Sequence, residues 1–492
     1  MTKQEAAIKY ITENYLDYNR LRHDIISDKL QVRDEHSLES FRMVQNSVEL
    51  SSAENTTLHH STQPLHHSTP CFWREMSKHD INSIVCHAAQ EYDQNITSRE
   101  VLTALQSDLI PDVHPLREYI QSLKPYPNDQ PDWIDWVASQ VRVKNNDNTD
   151  NLRPNQYSLG AHGECSSPLA GTLIASGTLS PLSSNNNSPL SSNNNHTLSS
   201  QNNPADALWR ICFKKWFVAM VASWMTDEVV NHQVLVLIGR QGIYKTTWLE
   251  HLIPPHLRAY ACKLANSAEL NKDDRLRIAE FGLISLDEID SMNTRELNQL
   301  KSVITATDVN ERAAYGYTKE RRIRLASFCA SGNRRDFLTD ITGNRRWLPF
   351  EVESIQNPFF TTLPYERMYA QAWALANDPT FCYWFELDEI EVLEEHNKHF
   401  RDESNEEQLL AVYFAVPAEG AEHTKFLTTA EISEKLISAG NIKRPMSLSR
   451  LGMLLGQQGF IASRHGTPPR RGWIVYERGS EEINAERRIF AK

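Results

Sequence analysis

The order of apolar and polar positions changes character several times along the chain. From Val234 to Ile238 the five residues VLVLI are all aliphatic, a pattern that predicts a strand buried on both faces. A polar loop with two glycines, GRQGIYKTT, follows it, and WLEHLI then reads as a helix closed by Pro254 and Pro255. Two more apolar runs, LISL (Leu283 to Leu286) and LASFCA (Leu325 to Ala330), predict further buried strands. Residues 1 to about 145 carry Leu, Ile and Tyr at three- and four-residue steps in ITENYLDYNRLRHDII and SREVLTALQSDLI, which predicts a mainly helical region. His114 to Val141 reads as two helical segments broken by Pro125, Pro127 and Pro131. Leu208 to Met225 is an apolar, tryptophan-rich helix. It is too short and too interrupted by Arg210, Lys214 and Lys215 to span a bilayer, so it is expected to be a buried helix leading into the next domain. Past Glu406 the pattern gives EEQLLAVYFAV, TTAEISEKLISAG and LSRLGMLLGQQG as helices and FIASRHGTPPRRGWIVYER as a hairpin, with Gly440 and Gly459 placed to end helices. Three helices and a two-stranded wing predict a winged helix-turn-helix, and the tail EEINAERRIF reads as one more helix.

Two composition breaks divide these patterns. Asn155 to Asn203 contains SPLSSNNN twice in tandem and has Glu164 as its one charged side chain, a composition that cannot offset the entropy of ordering. Ser51 to Pro70 carries LHHST twice, and its His59, His60, His66 and His67 read as a solvated insertion more readily than as a metal site. The expected domains are therefore a helical region over 1–150 with an insertion at 51–70, a disordered linker over 151–204, an α/β core over 205–400 and a winged helix over 401–492. With 492 residues and a net charge of −12, the chain has room for several cores and is no overall polycation, so any nucleic-acid surface must be local. Neither a secretory signal nor a membrane span shows in the sequence, which points to the cytoplasm, and seven scattered cysteines without a C-x-x-C pair argue against a disulfide framework or a zinc module.

The chemistry concentrates where the buried strands end. Strand, glycine-containing loop ending in Lys-Thr, and helix is the arrangement that aims backbone N–H groups and a helix N-terminus at phosphates. The candidate nucleotide-binding residues are Gly239, Gln241, Gly242, Ile243, Tyr244, Lys245, Thr246 and Thr247, with Lys245 on the β- and γ-phosphates of ATP and Thr246 on Mg2+. The spacing fits G-x-x-x-x-G-K-[ST] except that Tyr244 stands where a glycine is expected, and a tyrosine resists the torsions that glycine permits there. An ordinary strand-turn-helix is the alternative reading of this loop. The second strand ends in Asp287 and Glu288, expected as metal ligand and general base. The third ends near Asn333, whose amide can hold the lytic water or the γ-phosphate, and Arg345 and Arg346 follow as candidates to stabilise charge in phosphoryl transfer.

As a set, GRQGIYKTTW, LISLDEID, LKSVITATDVNERAAYGY, FCASGNRRDFL and DITGNRRWLPFEV resemble the virulence-associated E family, P-loop NTPases of mobile elements and phages similar to superfamily 3 helicases and to satellite-phage primase-helicases. The resemblance covers about Asp132 to Phe400 and implies an AAA+-type core working as a ring, a homo-hexamer, with Arg345 or Arg346 as a finger on a neighbour's nucleotide, Asp287 and Glu288 as the Walker B pair and Asn333 as sensor. No primase module is evident in the sequence, which leaves a separate primase as a partner.

Between Arg312 and Arg346 nine basic residues face three acids. The segment AAYGYTKERRIRLA reads as a hairpin with Tyr315 and Tyr317 near its turn and Lys319, Arg321 and Arg322 beyond, an aromatic and basic mix suited to single-stranded DNA. The resemblance implies that this hairpin lines a central pore; a solvated charged hairpin is the alternative. On the wing, Arg470 and Arg471 are candidates for duplex contact, although winged helices also bind proteins. The reading this supports is an ATP-dependent helicase or translocase acting in DNA replication on single-stranded or forked DNA. The rivals are an AAA+ regulatory switch that unwinds nothing and a degenerate core whose Tyr244 has ended hydrolysis.

Overall fold

The computed structural model describes residues 1–33, 73–127, 130–145, 204–264, 272–311, 320–338, 344–401, 405–417, 424–440, 442–443 and 445–490. The expected linker, the 51–70 insertion with its four histidines and the hairpin tip from Arg312 to Lys319 lie outside these residues. The chain divides into two compact units, Met1–Asn333 with Arg345–Leu393, and Arg334–Asn344 with Glu394–Lys492.

In the first unit the N-terminal region is less helical than its apolar spacing predicts. Helices Lys3–Ile11, Lys78–Glu91 and Ser98–Leu105 surround a core that includes Ala6, Ile11, Leu21, Ile84, Val101 and Leu105. They accompany a four-stranded sheet of order β3-β2-β1-β4, with β1 Leu21–Asp24, β2 Lys29–Arg33, β3 Trp73–Glu75 and β4 Asp112–Val113. The first helix gives way to a π turn, Thr12–Leu16, and the chain reverses at Asn19 and Asp28, both with left-handed φ (51° and 56°). Asn and Asp tolerate that conformation better than most residues, so the turns cost little and antiparallel pairing of Leu21 with Val32 replaces the helical continuation expected over LRHDII. Buried Asp24 ties this sheet onward by accepting from the Tyr260 hydroxyl at 2.9 Å.

The central sheet has six strands in the order β5-β12-β6-β11-β8-β7. These are β5 Val141–Val143, β6 Val234–Ile238, β7 Ala261–Leu264, β8 Leu283–Leu286, β11 Ser327–Gly332 and β12 Trp347–Ile355. All neighbours run parallel except β5, which pairs antiparallel with β12 at the edge. Every residue of β6, β8 and β11 is buried, as a sheet covered on both faces requires. The third predicted strand is displaced by two residues. Leu325 and Ala326 give their N–H groups to the Ile278 carbonyl, both at 2.9 Å, instead of to the ladder, whereas Ser331 and Gly332 pair with Leu237 and Ile238.

The helix Pro204–Met225 lies against this sheet with its tryptophans buried, and their indole N–H groups are satisfied by backbone. Trp209 donates to Ala138 O at 2.9 Å, Trp216 to Phe328 O at 3.1 Å and Trp224 to Gly282 O at 3.1 Å. A hairpin, β9 Asp308–Glu311 with β10 Glu320–Ile323, is held at its base by Arg324, which is 2% exposed. Its guanidinium donates to the carbonyls of Ala326 (3.1 Å), Asn231 (2.9 Å), Ala306 (3.3 Å) and Ile304, and burial pushes its pKa down to about 9. No described helix is long and apolar enough to cross a membrane.

In the second unit, helices Asn405–Tyr413, Thr429–Gly440 and Leu448–Gln457 precede a hairpin of β15 Ile461–His465 and β16 Arg470–Glu477. Strands β13 Phe414–Ala415 and β14 Thr424–Leu427 also pair with β16. Leu410, Ile432, Leu436, Leu451, Leu455 and Val475 form its core. Gly459, at φ 89°, follows the third of these helices in the left-handed position that glycine favours, and helix Ser480–Phe490 closes the chain.

Candidate active site

The C-terminal ends of β6, β11 and β8 lie side by side, and the polar residues that follow them converge. This rim is where open parallel sheets bind ligands. After β6 the loop 239–244 leads directly into helix Lys245–His251. Gly239 has φ 156°, and a Cβ there would lie 2.8 Å from the Val352 carbonyl oxygen, so only glycine fits between the loop and β12. Gln241 and Gly242 (φ 84°) form the exposed loop tip, Ile243 packs against the core, and the carbonyl of Thr247 is engaged by His251 Nδ1 at 2.7 Å. Tyr244 adopts φ 68°, ψ 17°, the left-handed conformation that explains why a glycine is expected there. Holding a tyrosine in it costs about 1–2 kcal/mol.

Lys245 is 7% exposed, and its ammonium sits inside the loop. It donates to the carbonyls of Gly239 and Arg240, each at 2.7 Å, and reaches Asn333 Oδ1 at 3.3 Å. Burial lowers its pKa, against the opposing fields of Asp290 and Asp287. Thr246 Oγ1 lies 2.9 Å from Ser331 Oγ and 3.3 Å from Asp287 Oδ1, which also accepts from Ser331 at 2.7 Å. The other carboxylate oxygen of Asp287 is 3.0 Å from Lys263 Nζ, itself 3.7 Å from Glu250. Burial works against ionised Asp287, but hydrogen bonds from Ser331, Lys263 and Thr246 and the Lys263 charge outweigh it and hold the carboxyl below its usual range. Glu288 is exposed at φ 53°, ψ 47°, a left-handed conformation of the kind that clusters at functional sites. Asp290 accepts from the Asn333 N–H at 3.0 Å, and a Cβ on Gly332 would meet that carboxylate at 2.8 Å.

One set of candidates is thus brought together: Lys245, Thr246, Asp287 and Asn333, with Glu288 adjacent. Hydroxyl and carboxylate oxygens on Thr246 and Asp287 are the hard donors that Mg2+ takes. Lys263, Asp290 and Ser331 join the cluster unforeseen. Asp290 and Ser331 stood within the quoted motifs, whereas Lys263 is on β7, a strand the apolar pattern did not mark.

Arg345 and Arg346 lie elsewhere. They precede β12, whose first residue Trp347 pairs with Val234 at the start of β6. They line a cavity of about 400 Å³ with His232, Gln233, Thr305 and Tyr383 at the opposite rim of the sheet. The length of β6, roughly 15 Å at ~3.3 Å per residue, separates them from the loop of their own chain.

The candidate nucleic-acid residues fall into two groups. Arg321 is paired with Asp308, and Arg322 lies 3.4 Å from Glu280. On the second unit, Arg470 and Arg471 are exposed on β16 directly across from His465 and Arg464. Arg464 and Arg471 therefore place like charges in register on the hairpin, an arrangement that is destabilising by itself.

Residues 191–405 match the model of the virulence-associated protein E-like domain. Among solved structures, the apo structure of the NrS-1 C terminal region (305–718) is similar at 9% identity, covering 96% of this chain and 100% of that one with a TM-score of 0.37. An A form apo structure of the same region is similar at 11% identity over 55% of this chain and 74% of that one, with a TM-score of 0.31. No curated protein matches the chain.

Proposed function

We propose that this chain is a Mg2+-dependent ATPase that unwinds or translocates along DNA in the replication of a mobile element. The proposed architecture is an AAA+-type P-loop core with a C-terminal winged helix, acting in the cytoplasm as a homo-hexamer. The observation that carries this reading is the convergence of Lys245, Thr246, Asp287 and Asn333 at the ends of three adjacent parallel strands. Backbone N–H groups of 239–244 and the Lys245 ammonium would bind the β- and γ-phosphates. Thr246 and Asp287 would hold Mg2+, which when bound neutralises charge on the phosphates. Glu288, at the rim beside Asp287, would take the proton of the attacking water, and Asn333, already bonded to Lys245, would orient that water without adding charge. The far-rim position of Arg345 and Arg346 supports a finger that acts on the nucleotide of a neighbouring subunit. A separate primase would complete the replication partners. The virulence-associated protein E-like match supports the mobile-element setting.

The test is steady-state ATP hydrolysis with and without single-stranded DNA, beside Lys245→Ala and Glu288→Gln. DNA-stimulated turnover lost in both variants supports a motor; absence of turnover in the unaltered chain refutes the ATPase. A second reading, an AAA+ regulatory switch without unwinding, draws on the pairing of Arg321 and Arg322 with acids of this chain, which leaves those cations less available to DNA. Strand displacement from a forked duplex, lost when Lys319, Arg321 and Arg322 are all changed to alanine while ATPase survives, separates the two.

A further inference from the structure

Beside the candidate phosphate loop the fold leaves three large rings in solvent: Tyr244 is 39% exposed, Phe359 69% and Phe360 89%. Single exposed apolar side chains are ordinary, but a contiguous cluster marks a binding surface. Tyr244 and Phe359 touch, and Phe360 follows Phe359 in the same turn. Phe359 meets Tyr244 edge-on, centroids 6.4 Å apart and planes at 82°, and meets the His251 ring at 5.7 Å and 86°. Asn357 builds the turn that presents them. Its Oδ1 accepts from the Phe359 N–H at 3.0 Å, and its carbonyl accepts from the Phe360 N–H at 3.1 Å and the Thr361 hydroxyl at 3.2 Å. Its amide nitrogen reaches the Tyr244 hydroxyl at 3.4 Å. The turn leaves β12, the same strand whose Val352 carbonyl backs Gly239 at the start of the loop.

We infer that Tyr244, Phe359 and Phe360 form the shelf on which the base of a nucleoside triphosphate stacks, with Asn357 at the edge of the base. The inference rests on the phosphate-loop reading: Tyr244 immediately precedes Lys245, so phosphates seated on the lysine carry their ribose and base past this corner of rings. Two rings set nearly perpendicular form a corner with one face open to a flat group, and the Asn357 amide carries a second hydrogen for a base acceptor. A tyrosine at the cost of left-handed strain is then explained by what its ring does, where glycine would offer nothing to stack on. Stacking tolerates any base, so the shelf adds affinity with little choice between purines.

The experiment is calorimetric titration of the full chain with Mg-ATP, Mg-GTP and inorganic tripolyphosphate, comparing it with Phe359→Ala/Phe360→Ala and with Phe359→Trp. The double variant is expected to bind both nucleotides about tenfold more weakly and tripolyphosphate unchanged, while Phe359→Trp keeps nucleotide affinity. Equal weakening of nucleotide and tripolyphosphate, or no weakening of either, overturns the shelf. Unchanged nucleotide affinity with loss of an assembly on sizing overturns it too, and assigns the rings to contact with a second copy. If the unaltered chain binds neither ATP nor tripolyphosphate, the phosphate-loop reading itself fails, and that result is distinct from a base-specific null.

Discussion

The two rims of the central sheet carry opposite chemistry. At the C-terminal rim Lys245, Thr246, Asp287, Ser331, Asn333 and Lys263 contact one another directly, in a mesh of hydrogen bonds and one ion pair. At the other rim Arg345 and Arg346 line a cavity with His232 and Tyr383, before β12 begins. A strand length divides them, and the proposed reaction, which uses both rims, would draw them from two chains. Under the proposed function the first rim would be complete as a binding site within one molecule, and the second would contribute across an interface between copies. That division generates expectations for each rim separately.

The largest effect belongs to the far rim. Changing Arg345 and Arg346 to alanine is expected to cost about 10³-fold in turnover with ATP affinity retained, measured by kcat and by equilibrium binding. Loss of binding instead would place the arginines within their own chain's site. At the near rim Lys245→Ala is expected to lower turnover roughly 10²- to 10³-fold and to weaken ATP binding with it, so that the two rims differ in KM as well as in rate. Lys263→Met removes a cation that shares Asp287, and is expected to lower the half-saturating Mg2+ concentration roughly two- to fivefold. An unchanged Mg2+ requirement would show that Lys263 does not compete for that carboxylate.

Two smaller effects test strain and pH. Tyr244→Gly relieves a left-handed tyrosine and is expected to raise unfolding stability by about 0.5–1 kcal/mol in urea titration while weakening nucleotide binding. His114, away from both rims, has its pKa pushed down to about 4 by burial and by Arg117, with only minor opposing contributions. An unfolded histidine near 6.5 binds its proton first, so stability is full above pH 6.5 and falls as pH drops toward 4. His114→Asn, which keeps an acceptor for the Arg117 N–H, is expected to flatten that acid limb by about 3 kcal/mol and to leave turnover untouched.

Much of the near rim was legible in the sequence because continuous aliphatic runs mark buried parallel strands, and the polar residues that follow such strands gather at one rim of the sheet. VLVLI and LISL are strands with the expected bounds, and Tyr244 stood out because its position demands a left-handed residue. The whole of β11 was read two residues early, since Leu325 and Ala326 look like strand but spend their N–H groups on Ile278. ACKL has too little apolar pattern to mark β7, so Lys263 was invisible; its role depends on which strand lies beside β8. At the N-terminus, helical spacing in ITENYLDYN continued into LRHD only by coincidence of apolar positions, and turns at Asn19 and Asp28 made pairing with Lys29–Arg33 the cheaper outcome. The rim assignment of Arg345 and Arg346 depends on the strand register, which no local motif encodes.

The division between the rims is tested most directly by mixing two inactive proteins. Lys245→Ala keeps the arginines and loses the loop cation; Arg345→Ala/Arg346→Ala keeps the loop and loses the arginines. Combined in equal amounts and assayed for ATP hydrolysis, they are expected to recover turnover that neither shows alone, because some interfaces then pair an intact loop with intact arginines. A mixture as inactive as its components, each shown to bind its own copies normally, would contradict the account.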